Sequence, residues 1–342
     1  MKYFKLPYGT AHLDCSIPDD RFGGIITSSI DTLDVPVGIE AVRSALANPS
    51  GSPRLSELAR GKNNIVLIAS DHTRPVPSRD IIPPMLDEIY SGNPDAHVTI
   101  LIATGFHRPT TESELEAKFG REIMDKVDIV LHDSRDDSML VKTGTLPSGG
   151  ELIINKLAYQ ADLLISEGFI EPHFFAGFSG GRKSVLPGIA SRKTVFANHC
   201  AEFIADENAR TGILENNPIH RDMLFAAKHT GLKFIVNVVI NSHRRTVAAF
   251  AGDCEAAHIA GTEFLSRYAA SKPIRSDIVI TTNNGAPLDQ NVYQAVKGMS
   301  CAEATVNSGG VIIMAAKCAD GIGGDAFYRI FKDDSDAASI LR

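Results

Sequence analysis

The sequence contains no C-x-x-C pair, and its five cysteines (Cys15, Cys200, Cys254, Cys301 and Cys318) are odd in number and widely spaced. That usage fits neither a disulfide framework nor a zinc knuckle, and reduced thiols are expected. No segment approaches roughly 18 uninterrupted apolar residues, and residues 1–9 hold neither a long apolar run nor a small-residue cleavage site. A membrane span is therefore not expected, and the chain reads as a soluble cytoplasmic protein. A basic block is also missing: 34 Lys and Arg are scattered among 41 Asp and Glu, for a net charge of -7, which disfavours nucleic acid as a partner. The H-E-x-x-H ligand set of an ordinary metal hydrolase is absent. No internal repeat or low-complexity tract interrupts the chain.

What the sequence does have is 342 residues at 44% hydrophobic content, enough for two domains of ordinary size. Short runs rich in Val and Ile recur at 65–69, 98–103, 129–131, 163–165, 234–239, 278–280 and 311–314. Each is followed by a polar or glycine-containing loop and a helix-like stretch, the rhythm of an α/β protein with parallel sheets. Strands of this kind are expected to be apolar on both faces. The segment 269–276, with Pro273 among small and polar residues, predicts a boundary between an N-terminal domain, 1–270, and a C-terminal domain, 271–342. Only about seventy residues fall in the second domain, and the sequence stops at Arg342 just after a helix-like stretch. That domain is expected to be partial, with C-terminal sequence missing.

Three of the apolar runs end in loops dense with ionisable residues: 70–75 (Ser-Asp-His-Thr-Arg-Pro), 104–109 (Thr-Gly-Phe-His-Arg-Pro) and 167–173 (Glu-Gly-Phe-Ile-Glu-Pro-His). Ligands bind beyond the carboxyl ends of strands in open α/β sheets, so these loops are expected to meet around one crevice. A lone histidine is usually a structural hydrogen-bonder, but histidines at successive strand ends point to a site. His107, His173 and His199 are the candidates. In the loop of His72, the flanking Asp71 and Arg74 are favoured instead. His12, His97, His132, His220, His229, His243 and His258 read as surface or structural residues.

Residues 174–188 form the densest segment. Its small residues, Ser179 and Gly180 among them, let backbone amides approach an anion, and Arg182 and Lys183 could neutralise one. The segment nearly spells G-x-x-x-x-G-K-[ST] from Gly177 to Ser184, but Arg182 stands where the second glycine is needed to wrap phosphates tightly. An ordinary nucleotide triphosphatase is disfavoured, while a phosphate-binding loop of another kind stays open. Lys183 could also serve as an amine nucleophile that holds a carbonyl-type group covalently. Near the C-terminus, 281–290 reads as a strand end and turn. A helix beginning at 291–299 then places Gln294 and Lys297 on one face, close to substrate.

These strings together resemble the nickel-dependent lactate racemases and their 2-hydroxyacid racemase and epimerase relatives. The most specific is 167–183 (Glu-Gly-Phe-Ile-Glu-Pro-His-Phe-Phe-Ala-Gly-Phe-Ser-Gly-Gly-Arg-Lys). It is seconded by 197–200 (Ala-Asn-His-Cys), 217–222 (Asn-Pro-Ile-His-Arg-Asp) and 288–298 (Leu-Asp-Gln-Asn-Val-Tyr-Gln-Ala-Val-Lys-Gly).

The resemblance implies a two-domain α/β enzyme with its active site in the cleft between the domains. It implies two cofactor components: nickel, and a pyridinium-3,5-dithiocarboxylic acid-type mononucleotide. Lys183 would tether the nucleotide, Asp71, Arg74, Ser179 and Gly180 would help to bind it, and His199 would ligate the metal. His107 and His173 would be the opposed acid/base pair, with Arg74, Gln294 and Lys297 on the substrate. The implied partners are a small 2-hydroxy acid and, transiently, the proteins that build the cofactor and insert nickel. Ala286 stands where the family has an aromatic residue, and Phe106 where smaller residues are common. Those departures leave open lactate, malate, an aromatic lactate or a sugar acid. A non-catalytic nickel or nucleotide carrier is the rival from another class, though a carrier needs no opposed pair of histidines.

Overall fold

The computed structural model describes residues 1–33, 38–333 and 336–341, and it divides into two compact units. The larger spans Ser28–His72 and Val76–Ala270. Its centre is a six-stranded sheet of β1 (Asn64–Ser70), β2 (His97–Ala103), β3 (Asp128–Leu131), β4 (Leu163–Phe169), β5 (Leu232–Ile240) and β6 (Thr246–Gly252). The spatial order is β6-β5-β4-β1-β2-β3, parallel throughout except for β6, which pairs antiparallel with β5 at the edge. Order reversal about the first strand puts the carboxyl ends of β1, β2 and β4 side by side, the position where such sheets bind ligands.

The alternation within each strand shows why the apolar runs are continuous. Ile65 and Leu67 of β1, Ile100 of β2 and Ile165 of β4 enter one apolar layer, while Val66, Ile68, Leu101 and Leu164 enter the layer on the opposite face. A strand buried on both faces has no polar side to show in its sequence. Helices cover both faces, among them α1 (Ile39–Ala47), α2 (Ser78–Gly92), α3 (Arg192–Asn198), α4 (Pro218–Thr230) and α5 (Ala256–Ala269). Residues of α1 and α2 lie in the first layer, and residues of α3, α4 and α5 in the second. Pro218 opens α4 behind an Asn217 side chain that accepts from the amides of Ile219 and His220, and Gly231 closes it in the left-handed conformation.

The smaller unit groups Met1–Thr27 and Thr73–Pro75 with Ser271–Arg342, although Arg342 itself lies outside the described residues. It contains an antiparallel hairpin, Lys2–Tyr8 with Ala11–Ile17, and a parallel pair, β7 (Ser276–Thr282) and β8 (Val306–Ala315), joined through α6 (Val292–Glu303). Asp289 is buried and binds this unit together, accepting the amides of Gly9 at 2.7 Å and Lys317 at 3.0 Å. The expectation of strands apolar and buried on both faces fails here. Ile278, Val311 and Ile313 are 47–60% exposed, because only two strands form this sheet and one face of it has no layer against it among the described residues.

Among the described residues, no helix is long and apolar enough to cross a membrane.

Candidate active site

The three loops singled out in the sequence follow β1, β4 and β2, which are neighbours in the sheet. A buried carboxylate ties two of them together. Glu167, near the end of β4, accepts from the Ser70 amide at 3.0 Å and hydroxyl at 3.2 Å, and from the Ser78 hydroxyl at 3.1 Å, so the turn carrying Asp71 is held at both sides. Nothing in the sequence marks Glu167 as more than one of two acidic residues in its loop.

Asp71 is buried and places Oδ2 2.5 Å from Nδ1 of His107, which follows β2. The neutral histidine beside a carboxylate carries its proton on Nδ1, leaving Nε2 as an acceptor. Asp71 thus touches an imidazole, a contact that its sequence assignment to the cofactor did not include. The neighbouring His72 is turned away onto the Thr110 hydroxyl at 3.1 Å, and burial pushes its pKa down.

His173 is set the opposite way. Its Nδ1 accepts the Ala176 amide at 3.3 Å, so the proton of the neutral ring sits on Nε2. The ring stacks on Phe174 at 5.0 Å and meets Phe175 edge-on at 4.5 Å. Phe175 is the hub of the site: its ring also lies 5.0 Å from the ring of His199 and 5.6 Å from Nζ of Lys183. The last distance is within cation–π range. Three residues from separate places in the sequence therefore face one phenyl group.

His199 caps the C-terminal end of α3, its amide donating to Val195 at 2.8 Å. Its Nδ1 is buried with no hydrogen-bond partner among the described residues. Burial, and next the Lys183 ammonium, push its pKa down to about 3, so the ring is neutral and its nitrogen lone pair is available. Lys183 lies in a single 3₁₀ turn, Gly181–Ser184. The loop after β2 reaches the same place: Gly105 donates to the Gly188 carbonyl at 3.1 Å, and Phe106 packs edge-on against Phe196 of α3 at 5.2 Å.

Ser179 and Gly180 fix the backbone just before this turn. The Ser179 hydroxyl bridges the Glu171 amide and the Phe169 carbonyl, at 2.9 and 3.0 Å. Gly180 has φ +80°, and a Cβ there would stand 2.5 Å from Oδ1 of Asn237. The expectation that Arg182 neutralises an anion is not met. Its side chain is fully buried and donates to the carbonyls of its own loop. Sequence could not show this, because the carbonyls that accept from Arg182 come together only in the folded turn.

Asp71, His107, His173, Lys183 and His199 all belong to the larger unit, whereas Arg74, Gln294 and Lys297 belong to the smaller one. In the smaller unit Arg74 donates to the Thr73 hydroxyl at 2.7 Å. Gln294 is buried in the first turn of α6, behind the Asn291 cap, and Lys297 is half-buried one turn on. Neither lies on a freely solvated helix face.

Among the described residues, no group of three or more His, Cys, Asp or Glu could hold a metal ion. A metal at His199 would take its remaining donors from a bound group.

The family model of the lactate racemase N-terminal domain matches residues 8–212, and that of the lactate racemase C-terminal domain matches 271–342. The chain is 56% identical over 342 residues to the lactate racemase of Thermoanaerobacterium thermosaccharolyticum, covering 100% of this chain and 80% of the relative. It is 54% identical over 337 residues to the lactate racemase of Lactiplantibacillus plantarum, covering 98% and 80%. The solved apoprotein of the Thermoanaerobacterium enzyme superposes with a TM-score of 0.92, covering 99% of this chain and 80% of that one. A Thermotoga maritima protein at 24% identity, with a TM-score of 0.55 over 68% of this chain and 64% of that one, shares the fold alone.

Proposed function

Because the chain belongs to the lactate racemase family, we propose that it is an isomerase that inverts C2 of lactate or a lactate-like 2-hydroxy acid through a planar 2-keto acid. The observation that carries this reading is the gathering of His173, His199 and Lys183 around Phe175. A proton-handling ring, a metal-donor ring and an amine on one wall are what such a reaction requires.

The residues present fit a lysine-tethered nickel-pincer nucleotide. Lys183 offers the amine for covalent attachment, and His199 offers a buried neutral nitrogen with no other partner among the described residues. Imidazole suits nickel beside soft sulfur donors. When bound, the group supplies a hydride-accepting centre for the α-hydrogen, which is far too weakly acidic for a histidine to remove as a proton. The proteins that build this group and insert nickel would be transient partners.

The chain's own residues handle the proton and the carboxylate. Arg74 and Lys297 hold the substrate carboxylate, with Arg offering the bidentate fork. His107, its Nδ1 on Asp71, takes the hydroxyl proton at Nε2. His173 presents Nε2–H as a hydrogen-bond donor to the oxygen of the opposite enantiomer; to protonate it, the ring must first gain a second proton at Nδ1 in place of the Ala176 amide contact. Two histidines are needed because the hydroxyl points to opposite sides in the two enantiomers.

The test is conversion of either lactate enantiomer by protein co-produced with the cofactor-making enzymes. Malate, an aromatic lactate and a sugar acid are assayed beside it; intact mass and nickel content establish loading, and loaded protein that inverts none of these acids would overturn the reading.

A further inference from the structure

Among the described residues, Arg182 is the largest fully buried side chain, and no salt bridge there involves it. A guanidinium cut off from water without a carboxylate is costly unless its donors are all met. Here each of the three nitrogens has an acceptor, and most of those acceptors are carbonyls of the turn itself. Nη2 donates to the Ala176 carbonyl at 2.7 Å and Nη1 to the Phe178 carbonyl at 2.8 Å, with those of Gly180 and Ser179 at 3.3 and 3.4 Å. Nε donates to Nδ1 of His220 in α4 at 3.1 Å, and Nε2 of His258 in α5 lies 2.9 Å from Nη1 and 2.8 Å from the Ser179 carbonyl, so that it either accepts from the guanidinium or donates to the turn.

One side chain thus collects four carbonyls from five consecutive residues, 176–180, and locks them to two helices. The other side of the turn is fixed by Asn237 of β5, whose Oδ1 accepts the Gly181 amide at 2.6 Å. Burial brings the Arg182 pKa down to about 9, which still leaves the group charged at neutral pH. Next in sequence stands Lys183, on the side of Phe175 and His199.

We propose that Arg182 is a positioning residue for Lys183: it draws the carbonyls of 176–180 inward as a template, and so fixes the direction in which the adjacent lysine amine is presented. The role rests on the reading of Lys183 as the attachment point, but its test does not. A Lys in place of Arg182 keeps the charge yet offers one nitrogen where the fork reaches several carbonyls and both imidazoles.

The experiment is competitive acetylation of the unloaded protein with acetic anhydride, read by peptide mass spectrometry as labelling of Lys183 relative to the exposed Lys126. In Arg182→Lys and Arg182→Gln, the folded protein should label Lys183 about fivefold or more faster than the parent. Loading of Lys183 during co-production should fall in parallel. A merely structural role would leave the labelling of Lys183 in the folded fraction at the parent ratio, and that result overturns the proposal. Hydrogen exchange on the parent needs no variant: amides 181–185 should exchange as slowly as those of β4, and fast exchange would equally overturn it. Faster labelling in a protein whose Lys183 never carries an adduct would uphold the positioning role and reject the tether.

Discussion

Oδ2 of Asp71 lies 2.5 Å from Nδ1 of His107, while Nδ1 of His173 accepts a backbone amide, so the two imidazoles are fixed in opposite tautomers. Nε2 of a neutral His107 is thus left as an acceptor, and Nε2 of a neutral His173 as a donor. Asp71→Asn would offer an amide in place of the carboxylate and favour the wrong tautomer of His107. The loaded variant should lose about 10²- to 10⁴-fold in kcat with KM little changed. Steady-state kinetics in both directions checks this, and a kcat within twofold of the parent would refute the pairing.

His199→Ala should strip nickel while leaving the Lys183 adduct in place, since the two attachments use different side chains. Metal analysis beside intact mass separates them. Equal nickel in variant and parent would place the ligand elsewhere.

Gly180→Ala should destabilise the unloaded protein by about 1–3 kcal/mol, because φ is +80° and the new methyl would meet Oδ1 of Asn237 at 2.5 Å and the Phe169 carbonyl at 3.0 Å. The same shift should reduce attachment at Lys183. Denaturant unfolding measures the first effect and mass spectrometry the second.

Acid should weaken the fold well before the carboxylates titrate. Burial pushes His132 and His220 down to about 4, and His258 well below its usual value, with Arg182 adding to the last two. Folded, these rings stay neutral, whereas the unfolded chain binds protons near pH 6.5, so their contribution is complete above about 6.5 and declines as the pH falls toward 4. For His132 alone the interval from 6.5 to about 4 corresponds to about 3 kcal/mol. Urea unfolding at pH 7 and pH 4.5 should differ accordingly, and identical midpoints would contradict it.

The seven apolar runs all became strands, and the histidines at the ends of β2 and β4 were legible because strand-end loops concentrate function. Their partners were not. The contact of Asp71 with His107 spans 36 positions, and the contacts of Arg182 with His220 and His258 span 38 and 76. Such pairings depend on sheet order and helix placement, which no local pattern encodes. Phe175 passed as one apolar residue among several, since a ring at a hub and a ring in a core look alike in sequence. In sequence His220 and His258 look like surface or structural residues; in the fold their structural part is specific, as neutral rings beside a buried cation.

The most direct test of the central claim uses lactate deuterated at C2 and the nickel-loaded protein in ordinary water. Hydride chemistry between two histidines that handle only the oxygen-bound proton requires the deuterium to remain on C2 of the inverted product. Loss of the label to solvent at the rate of racemisation would contradict the account and make His107 and His173 the bases of a direct proton-transfer racemase.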